Sequence, residues 1–197
     1  MTRETRRSQR RPRRALVTAI VAAFLVAEPT RAQPSSNEYQ IKAAFLVHFL
    51  QFTTWPEGGT IPAGAPVCVG VIGDDPFGTT LDEAMRAETL QGRKLIVKRS
   101  RKAADLSDCR LVFVSRSEKE RMAQVLRDLE ASPALTVSET EGFTRLGGVI
   151  NFVIDANRVR FELSPASARK RGLRLSSQLI RLGIVTDTAD ASPEPLS

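Results

Sequence analysis

The clearest periodic pattern in the chain begins at Tyr39. Ile41, Phe45, Phe49 and Phe52 recur at steps of four, four and three, one apolar stripe of a helix running to Trp55. Leu46 and Leu50 widen the stripe, and Pro56 ends it by pushing the preceding residue out of the α region. Glu57 to Pro66 holds three glycines and two prolines and reads as loop. Val67 to Ile72 is a short buried strand. Gly73 to Pro76 then turns the chain, with Asp75 as helix N-cap and Pro76 at the first helical position. Leu81, Ala84, Met85 and Glu88 predict a helix that stops near Gln91-Gly92. Further strands are predicted at 94–98, 111–115 and 135–137, with a capping box at Ser117 to Glu120 leading into Met122, Val125, Leu126 and Leu129.

In the last third the period changes from helical to alternating. Ile150, Phe152 and Ile154 alternate with Asn151 and Val153, and Val159, Phe161 and Leu163 with Arg160 and Glu162. Asp155 to Arg158 supplies the turn, so this is a β-hairpin with one face in the core. Ser164-Pro165 starts a short helix that Gly172 stops, and a last helix covers about Ser176 to Gly183. The fold class is therefore α/β: a single layered domain with a largely parallel central sheet, helices on its faces and a C-terminal β-hairpin. Residues 33–38 read as a flexible mature N-terminus, 39–186 as the domain and 187–197 as a polar, disordered tail.

The first 32 residues follow a different logic. Met1 to Arg14 carries seven arginines, and Ala15 to Ala27 is apolar except for Thr18. Thr30-Arg31-Ala32 then offers a small-x-small cut before Gln33, the form of a secretory signal peptide. The rival is a retained anchor, but an apolar run of 13 residues falls short of the roughly 20 that span a bilayer. The whole chain has 29 basic and 22 acidic residues, a net charge of +7; without residues 1–32 it has 21 and 20, a net of +1. The basic excess belongs to the leader, which removes the electrostatic case for a nucleic-acid partner.

Cys68 and Cys109 fall at the starts of the first and third predicted strands. In a flavodoxin-like order, second-first-third, these starts are neighbours. In an oxidising compartment they are expected to form a disulfide, the alternative being two buried thiols. With one histidine, His48, and no CxxC, no metal site and no cofactor is expected. Asp74-Asp75 resembles the acidic pair of a receiver domain, but Ser115-Arg116 lacks the third aspartate and Ser138 stands without the following lysine. No nucleophile–base pair, P-loop or dinucleotide motif appears, so catalysis is not expected.

Several segments together resemble the YfiR family: Tyr39 to Leu46 with Phe49, Phe52 and Trp55-Pro56; Val69 to Gly78; Gly142-Phe143; Gly147 to Phe152; Arg160 to Leu163; and Leu173 to Leu179. They cover nearly all of the chain after the leader, in order. The resemblance implies a periplasmic α/β protein that restrains a membrane-bound diguanylate cyclase through its periplasmic sensor region and lowers cyclic di-GMP signalling. Other members look suited to other membrane sensors, so the implied partner is a membrane-anchored cyclase or sensor kinase; homodimerisation is implied by the likeness alone. Ser164 stands where the family usually has asparagine, and the second cysteine pair of some members, near Gly147-Gly148, is absent.

Partner- or ligand-binding candidates are Tyr39, Lys42, Phe49, Phe52, Trp55 and Asn151. The aromatic stripe is either plain core or part of a groove for a partner helix or small ligand. Tyr39 and Lys42 could turn their polar ends to solvent or a partner, and Asn151 is either outward-facing or a satisfied hydrogen-bonder. Two functions follow: a regulatory subunit for a membrane sensor, or a small-ligand binding protein feeding a sensor kinase.

Overall fold

The structure is a computed structural model and describes residues 36–56 and 64–186. The expected leader (1–32), residues 33–35, most of the 57–66 loop and the tail from 187 lie outside the described residues. The described chain runs α1 (Ser36–Gln51), β1 (Thr53–Thr54), β2 (Val67–Ile72), α2 (Thr79–Arg86), β3 (Thr89–Leu90), β4 (Arg93–Ser100), β5 (Leu111–Val114), α3 (Met122–Asp128) and β6 (Leu135–Ser138). It continues through β7 (Ile150–Asp155), β8 (Arg158–Leu163), α4 (Pro165–Lys170), β9 (Arg174–Leu175), α5 (Ser177–Leu182) and β10 (Ile184–Val185). Short 3-10 turns at Ala103–Leu106 and Arg116–Arg121 complete it.

Eight strands form one sheet in the order β10-β8-β7-β6-β5-β2-β4-β3. Its centre, β4-β2-β5-β6-β7, is parallel, with the second-first-third order expected from sequence. The two ends are not: β3 runs antiparallel to β4, and β8 antiparallel to β7. The expected largely parallel sheet is thus a mixed one, and the hairpin β7–β8 is no appendage. Parallel pairing of Val137 and Ser138 with Ile150 and Asn151 builds it into the main sheet, and β10 extends it beyond β8.

Strand alternation divides the core in two. Val67, Val69 and Val71 of β2, Leu111 and Phe113 of β5, and Leu135 and Val137 of β6 face α1 and α2. Cys68 and Ile72 of β2 and Val112 and Val114 of β5 face α3 and the Ala103–Leu106 turn. On that second face Cys68 and Cys109 form a disulfide with Cα atoms 4.4 Å apart, closing a separation of 41 residues. Gly148 lets Phe143 lie against the backbone: a Cβ there would sit 2.3 Å from the ring.

Several local expectations are corrected. Helix α1 starts at Ser36, inside the stretch read as flexible, and ends at Gln51 rather than Trp55, because Thr53-Thr54 pair antiparallel with Leu175 and Arg174. Its buried face keeps Leu46, Phe49 and Leu50 of the predicted stripe, takes in Lys42, Ala43 and Val47, and leaves Phe45 and Phe52 half-buried. Ala43, Leu46, Phe49 and Leu50 are fully buried, whereas Ile41 is 40% exposed. Asp75 does not cap α2. Its Oδ1 accepts from the Phe77 N–H at 2.8 Å, and the helix waits until Thr79, past Gly78 at φ 56°. Ser115, not Ser117, caps the turn after β5, while Ser117 Oγ accepts from the Asp74 N–H. The helix predicted to run to Gln91-Gly92 stops at Arg86; those two residues, at φ 53° and 74°, turn β3 into β4. Ser164 caps α4 as read, accepting from the Ser167 N–H, and Ser176 caps α5, accepting from the Leu179 N–H.

Candidate functional site

The N-terminal turn of α1 carries Glu38, Tyr39 and Lys42 to the ends of β6 and β7. Lys42 shares the helix face of Leu46, Phe49 and Leu50, so burying that face buries the lysine, which is 1% exposed. A buried ammonium needs charge and hydrogen-bond partners. Lys42 Nζ donates to Glu38, one turn back on the helix, and to Glu139 in the segment following β6. The ammonium also lies 4.8 Å from the Tyr39 ring centroid and 5.8 Å from that of Phe152, where the ring faces attract a cation.

Glu139 is the hub. Its side chain is 2% exposed, and besides Lys42 it accepts the Tyr39 hydroxyl at 3.0 Å and pairs with Arg116 Nε at 3.3 Å. Its position follows from the strand end: Ser138 Oγ donates to Val114 O at 2.8 Å and accepts the Thr140 N–H, turning the chain off the sheet. Burial and then the negative Glu139 push the Tyr39 hydroxyl far above the usual phenol range, so it stays a donor.

Beside this cluster is an open cavity of about 570 Å³, bounded by Lys42, Arg116, Glu139, Arg145, Asn151 and Glu162 among others. Asn151 is 1% exposed, and its Oδ1 has no hydrogen-bond partner. Neither sequence reading of Asn151 describes it: it is neither outward-facing nor satisfied at that oxygen.

The structure brings Tyr39, Lys42 and Asn151 together and leaves the other three candidates elsewhere. Phe49 is fully buried, its ring centroid 5.0 Å from Phe161 and 5.6 Å from Phe152. Phe52 is half-buried beside His48, with centroids 6.3 Å apart. Trp55 donates from Nε1 to Arg110 O at 3.2 Å, next to the start of β5 and at the far end of the domain from Tyr39. The sequence reading missed Glu139, Arg116, Arg145 and Glu162. One signal was present: a lysine in register with Leu46, Phe49 and Leu50 requires a buried acid.

Several other titratable groups are tied into local contacts. Arg99 donates to Asp75 and Asp82, and its hydrogen bond holds the Asp82 carboxyl below the usual range. Arg171 donates to the Leu126 and Leu129 carbonyls at the end of α3, and burial lowers its pKa from the usual guanidinium value. Asp108 lies beside Cys68 and Cys109, but the disulfide leaves neither thiolate for a metal. Among the described residues no helix is long and apolar enough to cross a membrane.

Comparison with known proteins adds four findings. A conserved domain protein from Vibrio cholerae biovar El Tor superposes with TM-score 0.51 at 8% identity, over 73% of this chain and 60% of that one; the likeness is one of fold alone. An ABC domain from Streptococcus pneumoniae, crystallised with L-Trp, reaches only 0.45 at 11% identity, over 61% and 55% of the two chains, and bears no argument. No curated protein matches. The family model DUF4154, described as YfiR/HmsC-like, matches residues 39–184. That span runs from Tyr39 of the charge cluster to Ile184 of the last strand, and the chain belongs to the YfiR/HmsC-like family.

Proposed function

We propose that this protein is an exported regulatory subunit that binds the extracytoplasmic region of a membrane-anchored sensor, a diguanylate cyclase, and lowers cyclic di-GMP output. The observation that carries the reading is family membership across the entire described domain, residues 39–184. Members of this family act in the periplasm on membrane sensors, as regulators rather than enzymes. The leader-like residues 1–32 agree with export.

The surface supports a binding role. Leu182 is 66% exposed and Ile184 41%, adjoining each other at the edge strand β10, where backbone and apolar side chains are open to a partner. Lys42 and Asn151, which line the cavity, belong to the other end of this reading as residues of a regulatory pocket, with Tyr39 tied to Lys42 through Glu139. The test is co-purification with the candidate membrane sensor, combined with deletion of the gene. Deletion is expected to raise cyclic di-GMP. Unchanged cyclic di-GMP with co-purification intact would redirect the assignment to a sensor kinase; loss of both would sink it.

A further inference from the structure

Two residues that line the cavity carry hydrogen-bond acceptors that nothing in the domain uses. Asn151 Oδ1 is buried and unpartnered, although Asn151 lines the cavity. Directly opposite it on β8 is the half-buried Glu162, and opposed residues of an antiparallel pair project from the same face about 5 Å apart. Among the described residues no donor or cation pairs with the Glu162 carboxylate, nor with Glu141 at the rim.

The cations of the wall are differently placed. Lys42 is held by Glu38 and Glu139, and Arg116 by Glu139. Arg145 stands exposed at the mouth, where solvent screens it. The acceptors left unused there are therefore one neutral, Asn151 Oδ1, and one anionic, the Glu162 carboxylate. An anion would be repelled by Glu162, and an alcohol would answer the amide but not the charge. A protonated amine supplies both N–H donors and positive charge. The Asn151 oxygen is itself covered, so the amide must turn about its last side-chain bond to meet a ligand, a broad and soft torsion.

We propose that this cavity binds a small organic amine, with its ammonium seated between Asn151 Oδ1 and the Glu162 carboxylate and its body directed to the mouth. The site stands independently of the partner assigned above.

The experiment is an NMR titration of the protein as purified from its producing cell, using methylamine, 1,4-diaminobutane and benzylamine, with butane-1,4-diol and benzyl alcohol as uncharged counterparts. At least one amine is expected to shift the backbone amides of Asn151 and Glu162 saturably, with its alcohol at least about tenfold weaker and Glu162→Gln weakening the amine by a similar factor. Asn151→Leu removes an unpaired buried oxygen, so it is expected to abolish binding while leaving the melting temperature unchanged or higher. The proposal fails if none of the three amines shifts these amides, if the alcohols bind equally, or if Glu162→Gln binds as well as the parent. It fails too if Asn151→Leu lowers the melting temperature, since Asn151 would then be a structural residue.

Discussion

On the face covered by α3, the sheet buries Cys68, Ile72, Val112 and Val114 against Leu106, Val125, Leu126 and Leu129, and a disulfide ties Cys68 to Cys109. On the face covered by α1 and α2 it buries Phe49, Phe77, Phe113, Phe152 and Phe161, and at the margin of that layer an ammonium held by two glutamates. The first face is aliphatic apart from Phe143 and covalently fastened, with its stability spread over contacts indifferent to charge. The second is aromatic, and its edge depends on matching Lys42 to Glu38 and Glu139. Apolar contacts tolerate volume-conserving exchange, whereas a buried ion loses its compensation when one partner goes. Sensitivity to the loss of a single charge therefore lies on the α1 face, beside the cavity.

The sharpest test of this contrast is Lys42→Met, which strands Glu139 away from its main counter-charge. It is expected to cost about 3–5 kcal/mol in urea unfolding, and adding Glu139→Gln should restore most of that. A near-neutral Lys42→Met would erase the difference between the faces. Next, replacing both cysteines by alanine frees the 41-residue separation and is expected to cost about 2–4 kcal/mol with far-UV circular dichroism unchanged. A larger loss, with the sheet signal gone, would show that α3 packing alone cannot hold its face. Gly148→Ala pushes a methyl into the Phe143 ring and is expected to cost about 1–3 kcal/mol by the same assay.

The smallest effect concerns Asp82, on the α2 side. Its folded-state carboxyl titrates below its ordinary 3.8 because Arg99 donates to it. As pH falls, the unfolded chain takes up the proton first. The stabilisation is thus present above pH 3.8 and fades as pH drops through the folded value. Acid unfolding of Asp82→Asn beside the parent should show a parental advantage at neutral pH that disappears in strong acid; Asp82 is partly exposed and the pair is screened, so the gap is small.

The parallel centre of the sheet was legible because β2 and β5 are apolar on both faces and β6 on one, leaving short buried runs between turn residues. The hairpin was legible for the opposite reason: β7 and β8 alternate, and Ala156-Asn157 adopt the positive φ of a tight turn. The end of α1 was not, since a two-residue pairing with β9, over a hundred residues downstream, overrides a helical rhythm that continues to Trp55. Asp75 was misread because its carboxylate serves an Asx turn and Arg99 rather than a helix end. Of the candidate site, the sequence yields Tyr39, Lys42 and Asn151 as isolated polar residues. The acid that joins the first two comes from a polar stretch after β6 that carries no local signature of burial.

That long reach has a consequence for how the chain acquires its shape. Among the described residues α1 is the first helix to emerge from a ribosome or a translocation pore, yet Glu139 follows Lys42 by 97 residues and Tyr39 by 100. Phe152 and Phe161, which receive Phe49, come later still. Closing so wide a loop carries an entropic cost that only the finished sheet can offset. Among the described residues the first helix made thus waits for some of the latest strands to complete its packing, and until then its lysine and phenylalanines remain open to whatever chaperone or partner meets the nascent chain.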